Sequence, residues 1–424
     1  MNAPDNSSHR SGNSRVIVVG AGIIGVTSAL YLLRDGHEVI LVDRDEPGEG
    51  CSFGNAGLLA RSSFVPLTGP DALKNIPGWL FDPDGPLSVQ WSYLPKMLPW
   101  LIDFIRSGFS ADLESRGQAL HVLTDPSVDL FRQLAEQAGC ADLVRPSDYL
   151  EVVRSRAAFL KLQPDMDARR KQGFRVDEIG DAEIHALEPD LARDYRYGYR
   201  LYEHGFVLDP GGLVKELAAL FTREGGQIRK ETVGRIGIGS AGQCHLETAH
   251  RELVCDRLVL AAGAFSADLA GAGGPRPPLE TERGYHITCP KPGVSLSRPV
   301  MEGERKFLVT PMSMGLRVAG TVELAGLTAP SNPRRIDVIS RHARAMIPGL
   351  VTEGAQTWMG FRPTLPDSLP MIGPAPACAN IIYAFGHQHL GLTCAPKTGQ
   401  LVADLISDRI PNVDMSAYST RRFL

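Results

Sequence analysis

The strongest constraint on this chain is a run of six residues near its start, Gly20-Ala21-Gly22-Ile23-Ile24-Gly25. An apolar stretch, Val16-Ile17-Val18-Val19, leads into it, and a helix-like stretch leads out. Gly36 stands where that helix should stop. A second apolar run ends at Asp43, eighteen residues past Gly25. A strand, a glycine turn, a helix and a strand ending in an acid together hold a dinucleotide. Gly20 permits the tight turn, Gly22 lets the backbone approach a pyrophosphate, and Gly25 lets the helix pack closely on the sheet. The free N–H groups of the helix start, Ile24 among them, face the phosphates with a partial positive charge. Asp43 would accept hydrogen bonds from ribose hydroxyls, with Arg44 beside it, and would repel a 2′-phosphate. That argues against NADP. The motif itself leaves NAD and FAD open.

At 424 residues the chain has room for two or more domains, each with its own core. A net charge of −4 gives no support for nucleic-acid binding. The seven cysteines form no C-x-x-C pair and no zinc spacing, so no metal site is expected. Their odd number and scatter suit reduced thiols, and the expected location is cytoplasmic. Residues 1–14 are polar, lack the apolar core of a secretory signal, and read as a disordered tail. No run reaches the ~18 apolar residues of a membrane span. The apolar segment 93–106, with basic edges, reads best as a helix packed on the core. Its alternative is a contact with a partner or with the cytoplasmic face of a membrane.

Further along, 65–100 is rich in proline and tryptophan and reads as irregular, while 111–140 has helical spacing. Asp209-Pro210-Gly211-Gly212 opens an amphipathic helix that Gly225-Gly226 ends. The segments 285–289, 307–310 and 316–320 read as strands, and the last helix is expected over about 395–407. Dinucleotide-type elements recur along the chain with other blocks inserted between them. The expected fold is therefore α/β (α+β overall): a Rossmann-like dinucleotide domain (15–60, 205–275 and 355–424) with an inserted antiparallel β-sheet substrate domain (61–204 and 276–354). A ligand between the two would be touched by both.

Several separated motifs now resemble one family. They are Val18-Val19-Gly20-Ala21-Gly22-Ile23-Ile24-Gly25, Ser52-Phe53-Gly54-Asn55-Ala56-Gly57, Leu260-Ala261-Ala262-Gly263-Ala264, Gly360-Phe361-Arg362-Pro363 with Pro366-Asp367, and Gly386-His387 with Leu390-Gly391-Leu392. In order and spacing they resemble the D-amino acid oxidase family of FAD-dependent oxidoreductases, in its branch of bacterial D-amino acid and D-hydroxyproline dehydrogenases. The resemblance implies FAD rather than NAD. It implies that Ser52, Asn55, Ala56, Gly57 and Leu58 lie by the pyrophosphate and flavin, and that Val233, Ala262 and Gly263 lie toward the adenine. Gly386, His389, Leu390, Gly391, Leu392 and Thr393 would lie along the flavin.

By the same resemblance Arg362 holds the substrate carboxylate, a role its planar fork suits. Tyr285 is the second candidate for that carboxylate. His286, next to it, would face the other side of a strand, so one of the two is structural. His387 and His389 lie in the loop beside the expected flavin as candidate proton acceptors. Related glycine oxidases carry an arginine where this chain has His389, which weakens a glycine-oxidase assignment. Arg317 reads as a sheet-pairing residue. Lys397 reads equally as a partner of the reduced flavin or as a surface lysine.

The implied reaction is hydride transfer from Cα of a D-amino acid to flavin N5, with D-proline or cis-4-hydroxy-D-proline preferred. The alternatives are a general D-amino acid dehydrogenase with D-alanine-like substrates, a sarcosine- or glycine-type oxidase, an NAD-dependent dehydrogenase and a non-catalytic flavin-binding subunit. The electron acceptor stays open among oxygen, a quinone and an electron-transfer protein.

Overall fold

The computed structural model describes residues 13–64, 76, 78–80, 82–240 and 242–424. Most of the polar N-terminal tail and part of the segment 65–100 lie outside these residues. The strand Arg15–Val19 is buried along four of its five residues. Such a run fits only a strand covered on both faces. It pairs in parallel with Glu38–Asp43 on one side and Arg257–Leu260 on the other. Gln227–Lys230 extends the sheet at one edge, and Cys378–Phe385 with the antiparallel Met371–Ala375 extends it at the other. The helices Ile23–Arg34, Pro210–Arg223 and Gly391–Ile406 form one large core with this sheet. A three-stranded sheet, Val233–Ile238, Cys244–Thr248 and Glu252–Cys255, contributes to the core on its other face.

The second body is a ten-stranded sheet, mostly antiparallel. Its backbone path runs from Gln356–Thr364 at the edge through Glu280–Cys289, Gly315–Leu324, Phe307–Met312, Val300–Glu302, Val144–Val153 and Tyr197–Val207 to Leu58–Leu59. The helix Pro333–Met346 packs on one face and closes a second core. Gln356–Thr364 therefore belongs to the substrate sheet, where 355–424 had been expected to lie wholly in the dinucleotide body. Leu58–Leu59 belongs to the large sheet as well.

Other local corrections have plain causes. Asp125 and Pro126 split the helical stretch 111–140 into Leu113–Thr124 and Ser127–Ala138, because proline has no N–H to continue the first helix. The last helix starts at Gly391, four residues before the expected point, and carries Pro396 inside it. Part of the expected irregular segment is the helix Leu94–Gly108. It buries Met97, Trp100 and Phe104 against Leu324, while Leu98, Ile102 and Ile105 stay exposed. No helix among the described residues is long and apolar enough to cross a membrane.

Candidate active site

A cavity of about 540 Å³ runs from the first glycine turn to the edge strand of the large sheet. Gly20, Gly22, Ile24, Asp43, Arg44, Ser52, Asn55, Val233, Ala262, Gly263, Gly391 and Leu392, all expected to hold the cofactor, line it. The turn is built for close approach. A Cβ on Gly20, at φ +108°, would lie 2.3 Å from the Ala261 carbonyl oxygen, and one on Gly25 would lie 1.8 Å from that of Gly20. Gly25 thus shapes the turn from behind. The other expected residues frame the cavity. Gly57 N–H donates to Asn55 Oδ1 at 2.8 Å, in the turn that carries Ala56. Thr393 Oγ1 donates to the Leu58 carbonyl at 3.3 Å, which ties the last helix to the large sheet. Gly386 turns the chain into that helix with φ +90°, and Leu390 is buried at its start.

The donor set fits FAD. Neither Ile23–Arg34 nor Gly391–Ile406 has a side-chain cap from its own N-cap residue or an acid in its first turn. Both start at the cavity, so two positive helix ends converge on one ligand. Ser52 Oγ accepts from Ile23 N–H at 3.0 Å, which leaves its own proton to donate to a phosphate. Asp43 accepts from the N–H groups of Ala21 and Asp45, so its carboxylate is fixed at the strand end. The Arg44 guanidinium stands 4.1 Å over the Phe265 ring, and both side chains line the Val233–Gly263 end.

At the other end, antiparallel register sets Glu282 opposite Arg362, Gly284 opposite Gly360, and His286 opposite Trp358. Directly paired residues share a sheet face. The Arg362 side chain lies across Gly284, where a Cβ would come 2.3 Å from a guanidinium nitrogen. It reaches the next strand and donates to the Thr321 carbonyl at 3.3 Å. Thr321 is the extra residue of a bulge between the pairs Gly284–Val322 and Tyr285–Gly320, and its φ is +58°. A β-branched residue resists that conformation, so the bulge holds strain worth about 1–3 kcal/mol. The strained carbonyl sits where it orients Arg362.

His389 and Cys51 both feel the Arg362 charge. His389 is exposed but crowded by surrounding protein, and that desolvation, then Arg362, lowers its pKa to about 4. The ring is therefore neutral at physiological pH. Burial raises the pKa of Cys51, with Arg362 opposing, and the side chain lines the cavity. His286 stacks on Trp358 at 5.2 Å, and its Nδ1 is 3.0 Å from the Gly54 carbonyl oxygen.

Two expected catalytic residues are corrected. Tyr285 is buried among residues packed on Pro333–Met346, donates to Glu323 Oε2, and accepts from Asn332 N–H at 3.0 Å. It is the structural member of the Tyr285–His286 pair, on the strand face opposite Glu282 and Arg362. His387 is buried with Nε2 3.1 Å from Thr398 Oγ1, and burial holds its pKa at about 3. It belongs to the cavity lining, but its Nε2 is engaged by Thr398, so it fixes the loop to the last helix. Lys397 donates to Asn412 at 3.1 Å, away from the cavity. Arg317 clamps the carbonyls of Phe53 and Asn55 at 2.9 and 2.8 Å. Glu282, Cys51, Trp358 and Thr321 had not been singled out. The alternation of 282, 284 and 286 bears on Glu282 and Trp358 alone, and only once the register of the partner strand is known.

The model of the DAO family, FAD dependent oxidoreductase, matches residues 15–405, and the chain belongs to this family. It is similar to the D-amino-acid oxidase of Bradyrhizobium diazoefficiens, 39% identical over 96% of this chain and 99% of that protein. It is also similar to D-amino acid dehydrogenase 2 of Ralstonia nicotianae, 31% identical over 96% of this chain and 100% of that protein. Among solved structures, iminodiacetate oxidase from Chelativorans sp. superposes with a TM-score of 0.73 at 22% identity, covering 96% of this chain and 98% of that one. Glycine oxidase from Bacillus cereus does so with a TM-score of 0.72 at 20% identity, covering 97% and 99%. These two likenesses establish the fold. The chain is an FAD-dependent oxidoreductase.

Proposed function

We propose that this enzyme oxidises the Cα–N bond of a D-amino acid. The observation that carries the reading is Arg362, laid across Gly284 and oriented by the Thr321 carbonyl, on the strand whose Gly360, Phe361 and Pro363 line the dinucleotide cavity. A guanidinium so placed presents a bidentate fork to a carboxylate. The names of the relatives, D-amino-acid oxidase and D-amino acid dehydrogenase, support the same class.

FAD, when bound, supplies the hydride acceptor. This chain's residues supply orientation. Arg362 anchors the carboxylate and so fixes Cα. Trp358, stacked on His286, lines the cavity, and the neutral His389 offers a hydrogen bond without a charge. The helix start at Gly391 places its dipole to stabilise negative charge that develops along the cavity.

Within this class D-proline or cis-4-hydroxy-D-proline is the preferred substrate, on the resemblance of the run 386–393 to enzymes of hydroxyproline breakdown. A D-alanine-like substrate is the alternative. The test is anaerobic mixing of the purified, flavin-loaded protein with a panel of D-amino acids that includes all three. Bleaching near ~450 nm, the flavin's own band, is expected to be fastest with the cyclic pair. Bleaching by D-alanine alone would replace the substrate, and no bleaching by any D-amino acid would sink the reading.

A further inference from the structure

We propose that Glu282 is the proton acceptor for the substrate's amino group, a role that rests on the D-amino acid reading above. Glu282 and Arg362 stand directly opposite on adjacent antiparallel strands. Paired positions of this kind put Cβ atoms about 4.5–5.5 Å apart. An α-amino acid carries its anion and its cation on one carbon, so a cation and an anion side by side on one wall match it end to end.

The carboxylate has no salt-bridge partner. Glu282 is 7% exposed, and among the described residues the side chain that hydrogen-bonds it is the uncharged Thr364. Arg362 itself donates to Thr321 rather than to Glu282. A buried, unpaired carboxylate is costly unless a partner arrives, and the ammonium of a substrate held on Arg362 is such a partner. The Thr364 hydroxyl beside it is buried and brings no charge to balance it. Other charges are engaged elsewhere. Glu280, on the same strand, is held by Tyr93, and Arg283 and Glu323 belong to the Tyr285 face. The helix Leu94–Gly108 contributes the neutral indole of Trp100, which donates to the Thr364 carbonyl at 3.2 Å. Arg362 is the one charged group among the described residues that acts on Glu282.

The step balances. An N–H proton of the bound ammonium passes to the Glu282 carboxylate, giving a neutral amine and a neutral carboxyl. The nitrogen lone pair then becomes the C=N bond as Cα–H leaves with its electron pair to the oxidised cofactor, and the product is a protonated imine. A base serves best when its pKa approaches the working pH. Burial raises that of Glu282, with Arg362 opposing, whereas His389 is held at about 4 and His387 at about 3. Glu282 is therefore the stronger base of the three.

The experiment compares wild type with Glu282→Gln, both flavin-loaded, on D-proline as a function of pH. Binding of pyrrole-2-carboxylate, a planar carboxylate with no basic nitrogen, is followed by the flavin spectrum. Wild-type kcat/KM is expected to fall in acid with a limb above the ordinary carboxylate range, because protonated Glu282 cannot accept. Glu282→Gln should lose about 10²-fold in kcat/KM at neutral pH and lose that limb, in keeping with the removal of a general base. It should bind pyrrole-2-carboxylate within about threefold of wild type, since that ligand needs only Arg362. An unchanged pH profile would overturn the proposal, as would a limb near pH 4, which would belong to His389. Equal loss of pyrrole-2-carboxylate binding would also overturn it, because Glu282 would then only orient Arg362. A wild-type flavin that no D-amino acid reduces would instead overturn the functional reading itself.

Discussion

The two bodies of this protein build their halves of one site from different materials. In the dinucleotide body the ligand-facing parts are mostly backbone: the turn at Gly20, the helix start at Ile23 and the helix start at Gly391. In the large sheet the proposed substrate-facing parts are side chains, with Arg362, Glu282, Trp358 and His286 on one face. Backbone geometry is a local property, set within a few residues of sequence. A side-chain constellation depends on register, and register joins positions far apart in the chain. The comparison teaches that cofactor and substrate should be separable by mutation, although they share one cavity.

The largest effect tests the backbone half. Gly20→Val forces a Cβ against the Ala261 carbonyl at a φ that valine avoids. The purified variant should lose nearly all bound flavin, measured as the ratio of absorbance near ~450 nm, the flavin band, to that of the protein. Normal flavin content would break the comparison, because the turn would then not be what holds the dinucleotide.

The next effect tests the side-chain half. Arg362→Met keeps the aliphatic bulk over Gly284 and removes the fork. Flavin content should stay at the wild-type level, while kcat/KM for the best D-amino acid falls by about 10³-fold. This is the scale of removing one partner of a buried charge pair, about 2–5 kcal/mol. Parallel loss of flavin would show that the halves are not separable.

The same contrast explains what the sequence disclosed. The Gly20–Asp43 unit was legible because each of its roles is tied to its neighbours: glycine for the turn, an apolar run for the strand, an acid at its end. Arg362 was legible through the resemblance of its Gly-Phe-Arg-Pro run. Glu282 was not, because nothing in Thr281-Glu282-Arg283 says that residue 362 lies across from it. Thr321 was hidden more deeply, since a bulge leaves no signature in a strand that reads Arg317-Val318-Ala319-Gly320-Thr321. His387 and His389 sit two residues apart in one loop, yet His387 is buried with its Nε2 on Thr398 and His389 is exposed. Their different fates follow from the short helical turn at Gln388–Leu390, which no apolar periodicity announces. Tyr285 was misassigned because alternation gives two faces without saying which one meets the cofactor.

The smallest effect on activity is expected at Tyr285, and it sharpens the comparison within a single strand. Tyr285→Phe removes a hydroxyl that donates to Glu323 and accepts from Asn332 N–H. A buried group left without its partner costs about 1–3 kcal/mol, so the variant should unfold at lower denaturant. Its kcat/KM should remain within about twofold of wild type, because the hydroxyl lies on Glu323 and Asn332, on the strand face opposite Glu282 and Arg362. The pH dependence of stability supplies a second signature. Burial, and then the bond to Glu323, raises the Tyr285 pKa to about 12. An unfolded tyrosine loses its proton near pH 10. Between those values the unfolded chain releases a proton that the folded chain keeps, so the stability held below pH 10 is lost as pH rises through this window. Phenylalanine has no such proton, and the stability gap between the two proteins should therefore narrow from pH 10 toward pH 12. A large fall in kcat/KM with unchanged stability would return Tyr285 to the substrate.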